Sequence, residues 1–312
     1  MTEVSKKHVL IYGDAFVDYI AEDQANSTFK TFLGGATVNV AAGVSRLGAA
    51  STFITITGDD ETSEFVREEL RKEGVDLSYA KFEPNKRISG VYVHLTEDND
   101  RIFHTYIDET PDIQVESSDL DESAFQQAAV FHICSGTMFH PTALQTTKKA
   151  MRLAKKAGVF LSVDANIRPL RWKSEELCRE TILSFVEHAD LLKLTEEELL
   201  FLMQTSTLEE GMEKIAFYRV PIVLITAGEQ GTFAWIDGEM TQVGVEPVEP
   251  VDTTGAGDAF VAGILRQIHL KGLPVTREQW LDYVFFGNRL GALCATKQGA
   301  LSAMPRLEEI EE

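Results

Sequence analysis

Short apolar runs recur along the chain and are separated by stretches with helical periodicity. The first run, His8–Tyr12, predicts a buried strand that ends at Gly13 and Asp14. Further strands are predicted at 51–55, 130–134, 159–163, 191–194 and 222–226, and helices at 40–47, 61–73 and 142–157. Strands that alternate with helices in this way favour an α/β fold with a mostly parallel sheet and helices on both faces.

Two segments depart from this alternation because their apolar residues recur at every second position. Residues 18–32 show this period around a turn at Asn26, and residues 90–107 have the pattern of a hairpin that turns at 97–100. The two segments would form a small β-sheet lid over the main sheet, built from about 15–33 and 88–110. Two surface hairpins without a functional role are the alternative interpretation.

Composition narrows the class of protein. The chain has 312 residues, 44% of them hydrophobic, and a formal net charge of −20. This length fits a single domain that spans residues 1–312. An acidic surface argues against nucleic acid or an anionic membrane as a partner, and we expect no signal peptide and no membrane span. Cys134, Cys178 and Cys294 are far apart, so we expect neither a disulfide framework nor a zinc site, and we expect a cytoplasmic location.

The segment 251–260 carries the most specific chemical signal. Gly255 and Gly257 flank one small residue, so the backbone can turn tightly and direct several N–H groups at one point. A helix is predicted at 259–270, and the N-terminus of a helix attracts phosphate through its partial positive charge. Asp258 would repel a bound phosphate, but it suits a base that takes a proton from a hydroxyl attacking phosphorus. Phosphoryl transfer to an alcohol is the leading hypothesis, and a plain helix start with a dipole-complementing aspartate is the structural alternative.

Polar residues follow four predicted strands at the point where each strand ends. Asp14 follows the first strand, residues 164–168 follow the strand at 159–163, and Lys193 lies at the end of its own strand. Residues 226–231 follow the strand at 222–226 in the same way. Because ligands bind beyond the carboxyl ends of the strands in an open α/β sheet, we expect these residues to line one edge together with the turn at 255–258.

The string Asp252-Thr-Thr-Gly-Ala-Gly-Asp258 resembles the second signature of the ribokinase-like carbohydrate kinases, often called the pfkB family. The Gly34-Gly35 pair followed by Asn39 is similar to the first signature of that family. The resemblance covers essentially the whole chain and is closest to the bacterial fructokinases. It implies a ribokinase-like three-layer fold with a small β-sheet lid, a sugar and ATP as substrates, and Mg²⁺ as a cofactor.

The resemblance also implies roles for individual residues. Asp258 would be the catalytic base, and Gly255, Ala256 and Gly257 would supply the amides of an anion hole. The sugar would contact Asp14, Asp18, Gly34, Gly35 and Asn39. The nucleotide would be lined by Lys193, Thr226, Gly228 and Gly231, with Asn288 near the adenine.

The chain departs from the family pattern at two metal-linked elements. Thr195 stands where the family's Asn-x-x-Glu element has its asparagine, whereas Glu198 keeps the acidic residue that the family links indirectly to Mg²⁺. Thr195 would either line the nucleotide or cap the following helix. Asp252, Thr254 and Gly299 are similar to ligands of the family's monovalent-cation site, but Ala303 replaces a serine of the ribokinases, so a need for K⁺ stays open.

Arg168 and the predicted lid bear on the choice of sugar. Arg168 lies in Asp164-Ala-Asn-Ile-Arg168-Pro-Leu-Arg-Trp172, which resembles a pattern of fructokinases, 2-keto-3-deoxygluconate kinases and aminoimidazole riboside kinases. Its guanidinium suits paired hydroxyls, a carboxylate or phosphate, and the structural alternative is an ion pair with Asp164 or a nearby acid. Phe103 and Tyr106 would face the sugar from the lid, and the acidic pair at 108–109 would repel a carboxylate. Fructose is therefore the expected substrate, with aminoimidazole riboside and 2-keto-3-deoxygluconate as alternatives.

Two other classes of protein share part of this pattern. A dinucleotide-dependent dehydrogenase would need a glycine-rich turn after the first strand, and Gly13-Asp14-Ala-Phe lacks it. A sugar-binding sensor would keep Asn39 and Arg168 but has no need of Asp258. We therefore expect an enzyme. The strand edges of the lid would need covering, which favours a homodimer through the lid.

The role predicted for Asp258 is tested by the Asp258→Asn variant. Loss of a general base is expected to lower turnover by ~10²–10⁴, while nucleotide binding is retained because the backbone turn is unchanged. Steady-state kinetics and nucleotide titration measure the two quantities. Near-normal turnover of the variant would rule out the assignment.

Overall fold

The computed structural model describes residues 8–96 and 114–310, together with the backbone of residues 101–107. The side chains of Phe103 and Tyr106, predicted to face the sugar, lie outside the described residues, and so do Asp108 and Glu109. Within the described part of the chain, none of the helices has the length and apolar character needed to cross a bilayer.

Strands and helices alternate through most of the described chain, as the apolar pattern predicts. The strands are β1 (His8–Tyr12), β2 (Phe16–Ala21), β3 (Phe29–Gly34), β4 (Ser51–Ile54), β5 (Ile56–Thr57), β6 (Lys81–Phe82), β7 (Gly90–Leu95), β8 (Arg101–Ile107), β9 (Ala128–Cys134), β10 (Phe160–Asp164), β11 (Leu191–Thr195), β12 (Ile222–Thr226), β13 (Thr232–Ile236) and β14 (Glu239–Val243). The helices are α1 (Ala36–Arg46), α2 (Glu61–Lys72), α3 (Glu122–Gln126), α4 (Pro141–Lys156), α5 (Glu175–Val186), α6 (Glu196–Met203), α7 (Leu208–Ile215), α8 (Ala256–Lys271) and α9 (Arg277–Ala295).

An eight-stranded sheet forms the centre of the protein, in the order β14-β13-β12-β11-β10-β9-β1-β4. The six strands from β4 to β12 pair in parallel, and β13 and β14 continue the sheet as an antiparallel edge. Every residue of β1 is buried, as expected for a strand covered by helices on both faces. The parallel sheet with flanking helices confirms the predicted fold class.

The helices pack in two groups along the sheet. Helix α8 contacts both α1 and α9, and these three helices contact the strands β1, β4, β9, β13 and β14. Helix α4 contacts β10, and α6 contacts β11 and β12. The five strands predicted after β1 agree with the structure to within two residues at each end. Helix α1 begins four residues earlier than the predicted 40–47, and α8 begins three residues earlier than 259–270.

A separate four-stranded sheet has the order β3-β2-β7-β8. It consists of the two predicted hairpins, β2–β3 and β7–β8, joined through parallel pairing of β2 with β7. The turn residue Asn26 has a φ of 52° and bonds Leu95 of β7 through both its amide atoms, at 3.2 and 2.8 Å. The two hairpins therefore form one small sheet, as predicted, and not two independent surface features.

Candidate active site

The turn at residues 255–258 begins helix α8 at the carboxyl edge of the large sheet. Gly255 is the N-cap residue with a φ of 81°, in the left-handed region that favours glycine. A side chain on Gly255 would also collide with Ala300, since its Cβ would lie 2.9 Å from the Ala300 Cα atom. The first amides of α8 thus lie in a turn that only glycine can form, which is the geometry expected for an anion site.

Asp258 lies in the first turn of α8 and is buried, with 8% of its surface exposed. Its Oδ2 atom accepts a hydrogen bond of 2.8 Å from Nδ2 of Asn39, which belongs to α1. Burial raises the pKa of Asp258 to about 7, against the lowering effect of the Asn39 hydrogen bond. The carboxylate is therefore suited to exchanging a proton near neutral pH.

Asn39 lies inside α1, whose N-cap residue is Gly35, so it is not the cap of that helix. The Oδ1 atom of Asn39 is buried and has no hydrogen-bond partner among the described residues. A buried amide oxygen without a partner is costly unless a ligand or water completes it. Asn39 thus offers a free acceptor beside Asp258, at the place predicted for the sugar.

A cavity of about 540 Å³ separates the small sheet from the carboxyl ends of β1, β9 and β10. Four predicted sugar residues, Asp14, Asp18, Gly35 and Arg168, line it. Gly34 lies next to Asp18, because a Cβ on this glycine would approach the Asp18 Oδ2 atom to 2.9 Å. Burial also raises the pKa of Asp14 to about 7.

Arg171 is a cavity residue that the sequence analysis did not assign. Its guanidinium lies 4.6 Å from the centre of the Phe139 ring, and its positive charge lowers the pKa of Asp14 against the larger effect of burial. Both Arg171 and Phe139 line the cavity. The signal was present in the sequence, since Arg171 follows Arg168 by three residues, but nothing in the string shows that both side chains reach the same cavity.

Asp164 and Lys193 form a buried ion pair between neighbouring strand ends. The Lys193 Nζ atom lies 3.2 Å from both carboxylate oxygens of Asp164. Asp164 therefore pairs with Lys193, and not with Arg168 as the sequence allowed. Arg168 instead donates a hydrogen bond of 2.9 Å to the carbonyl of Ile167.

Thr195 and Glu198 form a reciprocal cap at the start of α6. The Thr195 hydroxyl accepts from the Glu198 amide at 3.2 Å, and Glu198 Oε2 accepts from the Thr195 amide at 2.8 Å. Glu198 Oε1 accepts from the Ile167 amide at 2.7 Å. Thr195 thus caps the following helix, which is one of the two roles expected for it. Glu198 also holds the loop that carries Arg168.

The residues predicted for the nucleotide lie around β12 and β13, except for Lys193, which lies on β11. Gly228 and Gly231 both have positive φ values, and a Cβ on Gly231 would lie 2.1 Å from the Val243 carbonyl oxygen. The Thr226 hydroxyl bonds the Leu194 carbonyl at 3.3 Å. Asn288 is buried and uses its amide within the protein, with bonds to Thr232, Val243 and Gly244 of 2.6, 2.9 and 3.1 Å.

The predicted cation-site residues come together through one carboxylate. Asp252 Oδ1 accepts from the Thr254 amide and Oδ2 from the Gly299 amide, both at 2.9 Å. No group of three or more His, Cys, Asp or Glu side chains able to hold a metal occurs within 8–96 and 114–310. Asp252, Thr254 and Gly299 therefore form one hydrogen-bonded cluster around the Asp252 carboxylate.

Comparison with known proteins agrees with these features. The sequence pattern of the pfkB family carbohydrate kinases matches residues 6–307. A fructokinase of Vibrio alginolyticus is 33% identical over 97% of both chains. The crystal structure of fructokinase from Vibrio cholerae O395 with fructose, ADP and calcium ion bound has a TM-score of 0.88 and 32% identity, covering 98% of each chain.

A further solved structure shares the fold alone. Aminoimidazole riboside kinase from Salmonella enterica, complexed with aminoimidazole riboside and an ATP analog, has a TM-score of 0.85 at 24% identity, over 97% of this chain and 98% of that one. The family match spans nearly the whole sequence and includes the turn at Asp258. The chain therefore belongs to the pfkB family of carbohydrate kinases, and it is an ATP-dependent phosphotransferase that acts on a sugar.

Proposed function

We propose that this protein is a fructokinase, which transfers the γ-phosphate of ATP to a hydroxyl group of fructose. The observation that carries the proposal is the buried Asp258 carboxylate at the anion turn of α8. Asp258 does not itself line the cavity beneath the small sheet, but it lies near enough to two residues that do, Arg168 and Cys134, to interact with them electrostatically. Fructokinases that are about one third identical over nearly the whole chain support fructose as the sugar.

The cavity chemistry also supports a neutral, polyhydroxylated substrate. Asp14 and Asp18 bring acceptors to the cavity, and Arg168 and Arg171 bring donors. Two acids facing two arginines leave no excess of positive charge that would favour a sugar acid. Aminoimidazole riboside and 2-keto-3-deoxygluconate remain the alternative substrates, and a sugar-binding sensor remains the non-enzymatic alternative.

In the proposed reaction, Asp258 takes the proton of the attacking sugar hydroxyl. The amides of Gly255, Ala256 and Gly257 would stabilise negative charge on the transferring group. Burial keeps water away from the carboxylate and therefore favours transfer to the sugar over hydrolysis of ATP. We propose that the small sheet, with its hairpins at about 15–33 and 88–110, is a lid on a single domain, and that Gly34 and Gly35 form its hinge.

The nucleotide is proposed to lie along the edge formed by β12 and β13, near Thr226, Gly228 and Gly231. Asn288 would act there by holding Val243 and Gly244, because its amide is already committed to them. Bound Mg²⁺ would neutralise phosphate charge, and Glu198 fits an indirect role since both of its oxygens accept backbone N–H groups. The region of Asp252, Thr254 and Gly299 would hold K⁺. The three cysteines are free and buried, which fits the cytoplasmic location that we propose.

The substrate proposal is tested by coupled ADP release with fructose, other hexoses, ribose, 2-keto-3-deoxygluconate and aminoimidazole riboside. Fructose is expected to give the highest kcat/KM. A higher value with another sugar would overturn the fructose assignment. A sugar that raises the melting temperature of the protein without any ADP release would instead indicate a sensor.

The proposed base predicts a defined pH dependence. Asp258 must be ionised to accept a proton, so kcat/KM should rise as pH increases through about 7. Asn39→Ala removes a hydrogen bond that favours the ionised form, so the acidic limb should move to higher pH. Asp14, whose pKa is also raised to about 7, contributes to the same acidic limb. The informative quantity is therefore the shift of this limb between the wild type and Asn39→Ala, and not its position in the wild type.

Gln267→Ala is the matched control, because Gln267 is another buried amide that lies on α8 itself, about two and a half turns beyond Asp258. Its pH profile is expected to superpose on that of the wild type. An unmoved acidic limb in Asn39→Ala would contradict the assignment of Asp258 as the base.

We propose that the protein forms a homodimer through the lid. Strands β3 and β8 are the edges of the small sheet, and exposed strand edges are normally covered in stable proteins. Sedimentation equilibrium is expected to give twice the chain mass of 34.7 kDa. A monomer at micromolar concentration would contradict this part of the proposal.

A further inference from the structure

Lys193 is the one lysine among the described residues that is buried, with 4% of its surface exposed. Burying an ammonium group is costly unless its charge is compensated. Its compensation comes from Asp164, whose two oxygens both lie 3.2 Å from Nζ. An ammonium group has three N–H donors, so a pair with one carboxylate leaves bonding capacity unused.

The ammonium group lies against the middle of the anion turn. A Cβ atom on Gly257 would be only 3.1 Å from Nζ of Lys193, and this is the closest atom that such a Cβ would meet. Glycine at position 257 therefore leaves the space that the ammonium group occupies. The positive charge of Lys193 is thus placed beside the backbone amides proposed to receive phosphate.

The other charges that act on Lys193 directly are negative, and the guanidinium of Arg168 acts on the neighbouring Asp258. Besides Asp164, the carboxylates of Glu198 and Asp258 lie close enough to favour its charged form, against the opposing effect of burial. A triphosphate entering this region would add further negative charge to a site with three carboxylates. Backbone amides carry only partial charges, so a full positive charge inside the site would reduce the repulsion further, in addition to the neutralisation that bound Mg²⁺ would provide.

We propose that Lys193 is a further catalytic residue, whose ammonium group donates a hydrogen bond to the transferring phosphoryl group at the anion turn, and that Asp164 is the positioning residue that holds it. This inference rests on the proposed kinase function and moves Lys193 from lining the nucleotide to stabilising the reacting group. In the step, the sugar oxygen bonds to the γ-phosphorus as the bond from phosphorus to the leaving oxygen of ADP breaks. The hydroxyl proton goes to Asp258, and Lys193 stays protonated.

The Lys193–Asp164 ion pair could instead be purely structural, and two variants distinguish this possibility from the catalytic role. Lys193→Met removes the charge but keeps a side chain of similar length. It also leaves Asp164 buried without its partner, which by itself would destabilise the fold. The double variant Lys193→Met with Asp164→Asn removes both charges together and so relieves that unpaired carboxylate.

The measurements are kcat, the KM for the sugar, ADP affinity by calorimetry and the melting temperature. Lys193→Met is expected to lower kcat by ~10²–10³, as does the loss of one charge-stabilising donor in other enzymes, with a much smaller change in ADP affinity. The double variant should recover melting temperature but not kcat. Recovery of both would show a structural pair and overturn the proposal, as would an unchanged kcat in Lys193→Met.

Binding of ADP with aluminium fluoride gives a readout that does not depend on turnover, because aluminium fluoride mimics the transferring group. Lys193→Met should lose affinity for this mixture by a larger factor than for ADP alone. Equal losses would assign Lys193 to nucleotide binding only and overturn the proposal. Lys149→Met is the matched control. Lys149 is a half-buried lysine of α4 that bonds the Ser117 carbonyl, and its loss should leave both affinities unchanged.

The kinetic measurements use whichever sugar the wild-type protein phosphorylates fastest. A preference for a sugar other than fructose overturns the fructose proposal and leaves the assignment of Lys193 to be decided by the variants. A wild-type protein that phosphorylates none of the sugars overturns both.

Discussion

The hydrogen bond between Asn39 and Asp258 is the interaction on which the proposed chemistry depends. It joins α1 to α8 and fixes a carboxylate at the start of α8, next to the amides that we propose receive phosphate. Burial alone would favour the protonated form of Asp258, which cannot act as a base. The Asn39 hydrogen bond opposes this effect. The two helices therefore hold a carboxylate that is buried away from water and can still ionise near neutral pH.

Helix α1 connects this bond to two other parts of the protein. It begins at Gly35, directly after the last strand of the small sheet, and ends at Arg46. The buried guanidinium of Arg46 bonds the carbonyls of Leu301 and Met304 at 2.7 and 2.9 Å and pairs with Glu73. Because Ala300 of the same loop packs against Gly255, one helix contacts the proposed base, the hinge of the proposed lid and the loop that supports the anion turn.

The charge distribution explains why an acidic protein can receive a polyphosphate. The chain as a whole carries a formal charge of −20, and the site itself contains several carboxylates. Positive potential at the site comes from backbone amides, from one buried lysine and from the arginines beside the cavity. Local geometry, and not overall charge, therefore decides what this surface can bind.

Much of this arrangement could be predicted from the sequence, because strand ends and glycine turns are local features. The parallel strands, the two hairpins and the turn before Asp258 follow from apolar periodicity and backbone freedom. Which polar side chains meet could not be predicted. Asp164 pairs with Lys193 and not with Arg168, and Asn39 of α1 bonds Asp258 of α8. These contacts depend on the directions of side chains that belong to elements far apart in sequence.

Arg171 and Asn288 show the same limit in opposite ways. Arg171 reaches the cavity, although its position three residues after Arg168 does not show by itself that both side chains enter it. Asn288, expected near the adenine, has an amide group that bonds Thr232 of β13 and Val243 at the end of β14. The antiparallel edge formed by β13 and β14 is what brings these partners to Asn288. Tertiary packing thus decided both outcomes.

The most direct test of the central claim is a crystal structure of the protein with fructose and ADP bound. The distance to measure joins an Asp258 carboxylate oxygen to the nearest primary hydroxyl oxygen of the sugar. A base in position to accept the proton predicts a value of about 2.6–3.2 Å, with that hydroxyl facing the anion turn. A sugar whose hydroxyls all bond elsewhere, with Asp258 still bonded to Asn39 alone, would contradict the account.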